Sequence, residues 1–192
     1  MQVGMMLYAG FRLLEVTGPM EVFHEANRLG GAALYEQHLV GASPGSVLCS
    51  NGVAVGATES LSQTRNAFDI VVVPGSQIIS SSPEHGELVD WLSEAGRSVS
   101  KLASVSTGAF LVARTGLADH HTLTVNWRHA PRLTAEYPLV RVLSDQRCLK
   151  DGNLYSSCGF SDGMQLALAL VREDHGKDFA RSIAESLSRQ RH

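Results

Sequence analysis

Short β-rich apolar runs alternate with helical patterns along this chain, which predicts an α/β fold of βα units on a mostly parallel sheet. Its length agrees: 192 residues, 44% apolar and 18% charged, suit one core at roughly 150 residues per domain. No internal repeat or low-complexity linker divides it, so a single domain over residues 1–192 is expected.

The elements follow in order. Residues 3–8 read as a buried first strand, and 15–28 as a helix with Val16, Met20, Phe23 and Asn27 on one face, closed by Gly30-Gly31. Gly18-Pro19 bends or kinks its entry. A second strand spans 34–42, and 47–55 is a small hairpin about Asn51-Gly52. FDIVVV at 68–73, rich in β-branched residues and stopped by Pro74-Gly75, belongs at the sheet centre. Residues 84–96 are a helix with Leu88, Trp91 and Leu92 inward; a strand at 101–105 and a helix at 107–115, ended by Gly116, come next. A short strand at 123–125 precedes a helix at 127–137, stopped near Pro138. Short strands at 139–143, 146–149 and 154–156 follow, the last two joined at Asp151-Gly152; helices at 161–173 and 177–189 close the chain.

Composition excludes several functions. A net charge of −3 with no basic stripe argues against this segment gripping a phosphate backbone by itself. No basic leader or uninterrupted apolar run of about 18 residues is present, so neither export nor membrane spanning is expected. Cys49, Cys148 and Cys158 are widely spaced without a CxxC pair, which predicts no disulfide framework or zinc knuckle and favours a reducing cytoplasm. His120, His121 and His129 lack carboxylates at ligand spacing and read as exposed loop residues, so no metal is expected.

The segment KLASVSTGAF, residues 101–110, carries the most chemistry. Small residues two before and two after Ser106 let a strand turn sharply into a helix, lifting that side chain above the sheet beside backbone N–H donors. The plain alternative is a serine that caps a helix after a buried strand.

FRLLEVTGPMEVF, DIVVVPGS, ASVSTGAFLVARTGLADHHTLTVNW and LYSSCGFSDGMQLALALV, in that order, resemble the ThiJ/PfpI family of class I glutamine amidotransferase-like domains, in the branch fused to AraC-type helix-turn-helix domains. The resemblance implies a flavodoxin-like three-layer α/β/α sandwich, an elbow cysteine as nucleophile in enzymatic members, and an acid from the first helix that contacts it. By position Ser106 replaces the cysteine and Glu15 is the acid; Asn126, before Trp127, replaces the family histidine, and Gln165 an aspartate of the last core helix. Residues 119–121 replace a turn that commonly holds glycine.

A serine hydroxyl needs a general base, and none is evident, so lost chemistry and a retained pocket are expected. Its donors would be Gly75, the Ser76 backbone, the amides of Thr107, Gly108 and Ala109, and the loop Ser157, Cys158 and Gly159. Glu15 is either a buried acid with a raised pKa sharing a proton with Ser106 or an ordinary first-turn glutamate; Cys158 is either a displaced pocket thiol or a small buried cysteine; Trp127 is either a ligand-stacking ring or, more often for such a residue, a core or interface aromatic.

The reading is a non-catalytic sensor domain of an AraC-type regulator. It would bind a small polar metabolite without a cofactor, form a homodimer, and reach DNA through a domain after residue 192. The alternative is a hydrolase or hydratase of a small amide, isonitrile or aldehyde that uses Ser106 and Glu15. A Ser-His-Asp hydrolase fits less well, because no Asp and His follow Ser106 at persuasive strand ends.

Overall fold

A computed structural model describes residues 1–64, 67–77 and 85–188. The alternation builds β1 (Gln2–Met6), α1 (Leu13–Gly30), β2 (Glu36–Gly41), β3 (Gly45–Leu48), β4 (Ala54–Ala57), β5 (Glu59–Ser60), β6 (Ile70–Val73), α2 (Gly86–Ala95), β7 (Lys101–Val105) and α3 (Gly108–Arg114). Then come β8 (Thr122–Thr124), α4 (Ala130–Glu136), β9 (Arg141–Leu143), β10 (Cys148–Asp151), β11 (Leu154–Ser157), α5 (Gly163–His175) and α6 (Lys177–Ser188). Glu84 and Arg189, the expected ends of two helices, lie outside the described residues.

Among the described residues seven strands form the main sheet in the order β10-β11-β7-β6-β1-β2-β5, and every pairing is parallel except β10 with β11. The all-buried Ile70–Val73 run occupies the centre, as its β-branched composition predicts. From β1 the chain winds outward to β2, and from β6 the other way to β7. Right-handed crossovers therefore place α1 and α2 on opposite faces. α5 and α6 pack with α1, and α3 with α2, which completes the three layers. The reversal leaves a crevice at the carboxyl ends of β1 and β6, where open α/β sheets bind their ligands.

Three details depart from the sequence reading. β9 pairs with β8 in a separate two-stranded sheet, and β5 is a two-residue edge strand too short to leave a pattern in the sequence. α4 begins at Ala130 rather than at 127, because Pro131 has no N–H and fits only the first helical turn. The hairpin is as expected, with Val47 opposite Val55 and Gly52 at φ 84°.

Gly18 and Pro19 lie inside α1 and are buried; a Cβ on Gly18 would come within 3.0 Å of Met164 Cγ, so this pair sets the spacing between α1 and α5. Among the described residues no helix is long and apolar enough to cross a membrane.

Candidate functional site

The end of β7 turns into α3 through one left-handed residue, Ser106, at φ 53°. That backbone costs a non-glycine residue about 1–2 kcal/mol. The surroundings impose it: the Ser106 amide continues the sheet by donating to Ser157 O at 2.9 Å, and the Ser106 carbonyl accepts from the Ala109 amide. Gly108 makes the turn possible, since a Cβ there would lie 2.2 Å from the Val73 carbonyl oxygen and 2.9 Å from that of Pro74. The helix cap is Thr107, without a side-chain capping bond, so the helix-cap reading does not describe Ser106.

Glu15, in the first turn of α1, is fully buried at the same crevice. Its Oε2 accepts the Gly75 amide at 2.5 Å, while Oε1 has no hydrogen-bond partner among the described residues and lies 3.8 Å from Arg12 Nε. Burial pushes the carboxyl up to about 7, against the opposing pull of the Gly75 amide, the Arg12 guanidinium and the Ser106 hydroxyl. Its complete burial sets it apart from an ordinary first-turn glutamate.

The expected donors are partly engaged within the protein. The Gly75 amide is held by Glu15, and the Ser76 amide donates to Thr107 Oγ1 at 3.0 Å while that hydroxyl donates to Ser76 O at 2.9 Å. Gly75 is the only residue type that fits, because a Cβ would meet Thr107 Oγ1 at 2.4 Å and Glu15 Oε2 at 2.9 Å. Ser157 is completely buried, and its hydroxyl is unpartnered among the described residues.

The other sequence-marked residues lie less deeply. Cys158 is half-buried, donates to Asp162 Oδ2 at 3.2 Å, and has its thiol pushed up by burial and by the Asp162 charge. Asn126 is half-buried, and its side-chain oxygen accepts the Arg128 amide, forming a local turn. Trp127 is 65% exposed with the Arg128 guanidinium over its ring, so it is not a core aromatic. Gln165 is exposed on α5. The histidine reading needs correction. Of the three, His120 is exposed; His121 is half-buried against Asp151 at 3.4 Å, and His129 is half-buried with its imidazole pushed down by burial and by Arg12, Arg132 and Arg128. Asp151, distant in sequence, reaches His121 because the β10–β11 turn folds over it. Among the described residues no metal-ligand cluster forms.

Sequence reasoning missed Arg12 and Tyr8. Arg12 was legible as the residue three before Glu15; its amide donates to Gly75 O at 2.9 Å. Tyr8 was hidden as an apparent core aromatic. Its hydroxyl donates to Pro74 O at 2.6 Å, and burial and the Glu15 charge push its pKa up.

Among known proteins, the HTH-type transcriptional regulator GlxA of Rhizobium meliloti is 27% identical over 193 residues, which cover 96% of this chain and 56% of that protein. The isonitrile hydratase of Pseudomonas putida is 25% identical over 183 residues, 95% of this chain and 76% of that one. A crystal structure of an AraC family transcriptional regulator from Pseudomonas putida superposes with a TM-score of 0.84 at 25% identity, covering 97% of this chain and 99% of that one. This chain spans about half the length of the HTH-type regulators it matches. The DJ-1/PfpI family model matches residues 1–173, and with the elbow geometry beside it, the chain belongs to the DJ-1/PfpI family.

Proposed function

We propose that this chain is the ligand-sensing domain of an AraC-type transcriptional regulator, with an elbow that has given up covalent chemistry. One observation carries the reading: Ser106 presents a hydroxyl, not a thiol, beside Glu15, a buried carboxyl whose pKa is raised to about 7. A hydroxyl attacks only with a base to take its proton, and no imidazole is among the hydrogen-bond partners of Ser106 in the described residues. Similarity to HTH-type regulators supports the assignment.

In this reading a small polar metabolite meets the Ser106 hydroxyl, the uncommitted Oε1 of Glu15 and the Ser157 hydroxyl. Gly75, Ser76, Thr107 and Gly108 form the floor, and Asn126, Trp127 and Cys158 belong to the rim. A homodimer in the cytoplasm would contact DNA through a helix-turn-helix domain after residue 192.

Two experiments test it. Reading the open frame past codon 192 should reveal about a hundred further codons with two helix-turn-helix patterns; a stop codon there overturns the regulator reading. Metabolites screened by thermal shift should give a hit that Ser106→Ala and Glu15→Gln both weaken.

A second reading rests on Glu15 alone. A carboxyl with a pKa near 7 and one free oxygen has the poise of a general acid/base, and a relative is named an isonitrile hydratase. Turnover of a small isonitrile or amide, abolished by Glu15→Gln, would favour this hydratase or hydrolase.

A further inference from the structure

Arg12 stands at the elbow, anchored and without a matched counter-charge. Its amide donates to Gly75 O at 2.9 Å. Its Nε lies 3.8 Å from Oε1 of Glu15, whose carboxyl accepts the Gly75 amide through Oε2 and is hydrogen-bonded to the Ser106 hydroxyl. At 3.8 Å there is no hydrogen bond, and Nε has no other partner among the described residues. Nε itself is enclosed, but the side chain as a whole is 35% exposed, and its terminal nitrogens are not among the enclosed atoms. They are the part of Arg12 that a ligand can reach.

Glu15 does not neutralise this guanidinium at pH 7. Burial raises the carboxyl to about 7, so roughly half of the molecules keep its proton there. Further positive charge comes from the chain that follows β8. The His129 amide donates to Asn126 O at 2.8 Å, which forms the turn before α4. The His129 imidazole is pushed down by burial and by the charges of Arg12, Arg132 and Arg128, and among the described residues no carboxylate counters them. The start of α1 and the start of α4 therefore bring like charges to the same side of the elbow.

Two of these guanidiniums are braced on aromatic rings. Arg128 lies over Trp127 at 5.2 Å and Arg132 over Phe110 at 5.3 Å, and Arg132 also holds Glu136 at 2.6 Å. A chain of net charge −3 has no general excess of cations, so this concentration belongs to the fold. Like charges gathered without a counter-charge repel, and an anion placed among them removes that cost.

We propose that the elbow takes a small carboxylate anion, which pairs with the terminal nitrogens of Arg12 and accepts the Ser106 hydroxyl beneath the turn of Asn126 and His129. The planar fork of arginine matches a carboxylate. A phosphate dianion fits less well, because the Glu15 carboxyl stands directly behind the site. This names the ligand class of the sensing site and rests on the sensor reading above.

Binding of the anion is linked to protons. Glu15 faces Arg12 on its own helix and Tyr8 after β1, and His129 faces Arg12, Arg128 and Arg132. A negative charge beside Glu15 and His129 favours the protonated form of each, so affinity should rise as pH falls.

The test is a charge series of one size, butanoate, butanamide and butylammonium, titrated into the protein while the His129 ring proton and the Ser106 amide are followed by NMR. Butanoate should saturate and shift both resonances, butanamide should bind about tenfold more weakly, and butylammonium should not bind. Butanoate affinity should rise about threefold or more from pH 8 to pH 6. Arg12→Met should lose about tenfold in affinity, and Arg12→Lys, which keeps the charge without the fork, should recover part of it. Arg181→Met, at an exposed arginine of α6, should change nothing. Inorganic phosphate should bind more weakly than butanoate.

The probe series and its pH dependence are read on the unaltered protein, so they decide the proposal even if an Arg12 variant fails to fold. Butanamide or phosphate matching butanoate, affinity that does not rise with falling pH, indifference to both folded Arg12 variants, an equal loss in Arg181→Met, or no saturation by butanoate overturns it. The sensor reading fails separately. A neutral or cationic metabolite weakened by Ser106→Ala would remove the carboxylate class and keep the sensor, whereas a stop codon after residue 192 would remove the regulator and leave butanoate binding at Arg12 intact.

Discussion

Glu15 and Gly75, 60 residues apart in sequence, are tied by a 2.5 Å hydrogen bond from the Gly75 amide to the carboxyl of a completely buried side chain. The bond joins the first turn of α1 to the end of the central strand, and it is the cross-link on which the elbow is organised. Its acid titrates where few carboxylates do.

Stability should therefore fall as pH rises from about 4.5 to about 7, because the unfolded chain releases the Glu15 proton first while the folded chain keeps it. The raised folded value makes this contribution fully present below 4.5 and lost above about 7. A shift of that size corresponds to an upper bound of about 3 kcal/mol. Glu25, held down to about 2 by Arg28, titrates below this window. Urea denaturation of Glu15→Gln at both ends of the window should show the slope flattened; an unchanged slope would assign the pH dependence elsewhere.

Ser106→Gly should be more stable than Ser106→Ala by about 1 kcal/mol, since both lose the hydroxyl but only glycine relieves the φ of 53°. Melting temperatures compared side by side would show this as a gap of about 2–4 °C.

The same logic applies at an exposed turn. His120 has φ 64°, and its amide donates to Leu139 O at 2.9 Å, a bond that any residue can make. His120→Gly should raise stability by about 1 kcal/mol, and His120→Ala should not, as calorimetry can decide.

Gly108→Ala should cost about 3 kcal/mol or lose soluble expression, because its Cβ would strike the Val73 and Pro74 carbonyl oxygens, which are backbone and cannot step aside. Gly56→Ala, with nothing within 4 Å, is the matched control and should be near neutral in the same denaturation assay.

Much of this was legible in the chain. Period-two and period-3.6 patterns located the main strands and helices, and FDIVVV marked the sheet centre because only a strand covered on both faces tolerates such a run. The elbow was legible as a glycine two residues past a serine. What stayed hidden depends on contacts distant in sequence. The partner sheet of β9, the engagement of the Gly75 and Ser76 amides, and the meeting of His121 with Asp151 are fixed by tertiary packing, which local pattern does not encode.

Gly18 gives the molecule a remote adjustment. With Met164 within 3.0 Å of where a Cβ would stand, this position works as a shim between α1 and α5, and α1 carries Glu15 one turn earlier. Added bulk there would tilt the helix as a lever and loosen the grip of the acid on Gly75. The proton affinity of the elbow is thus tunable from a site that touches neither Ser106 nor solvent, so drift in the interhelical seam can retune the domain while its signature residues stay unchanged.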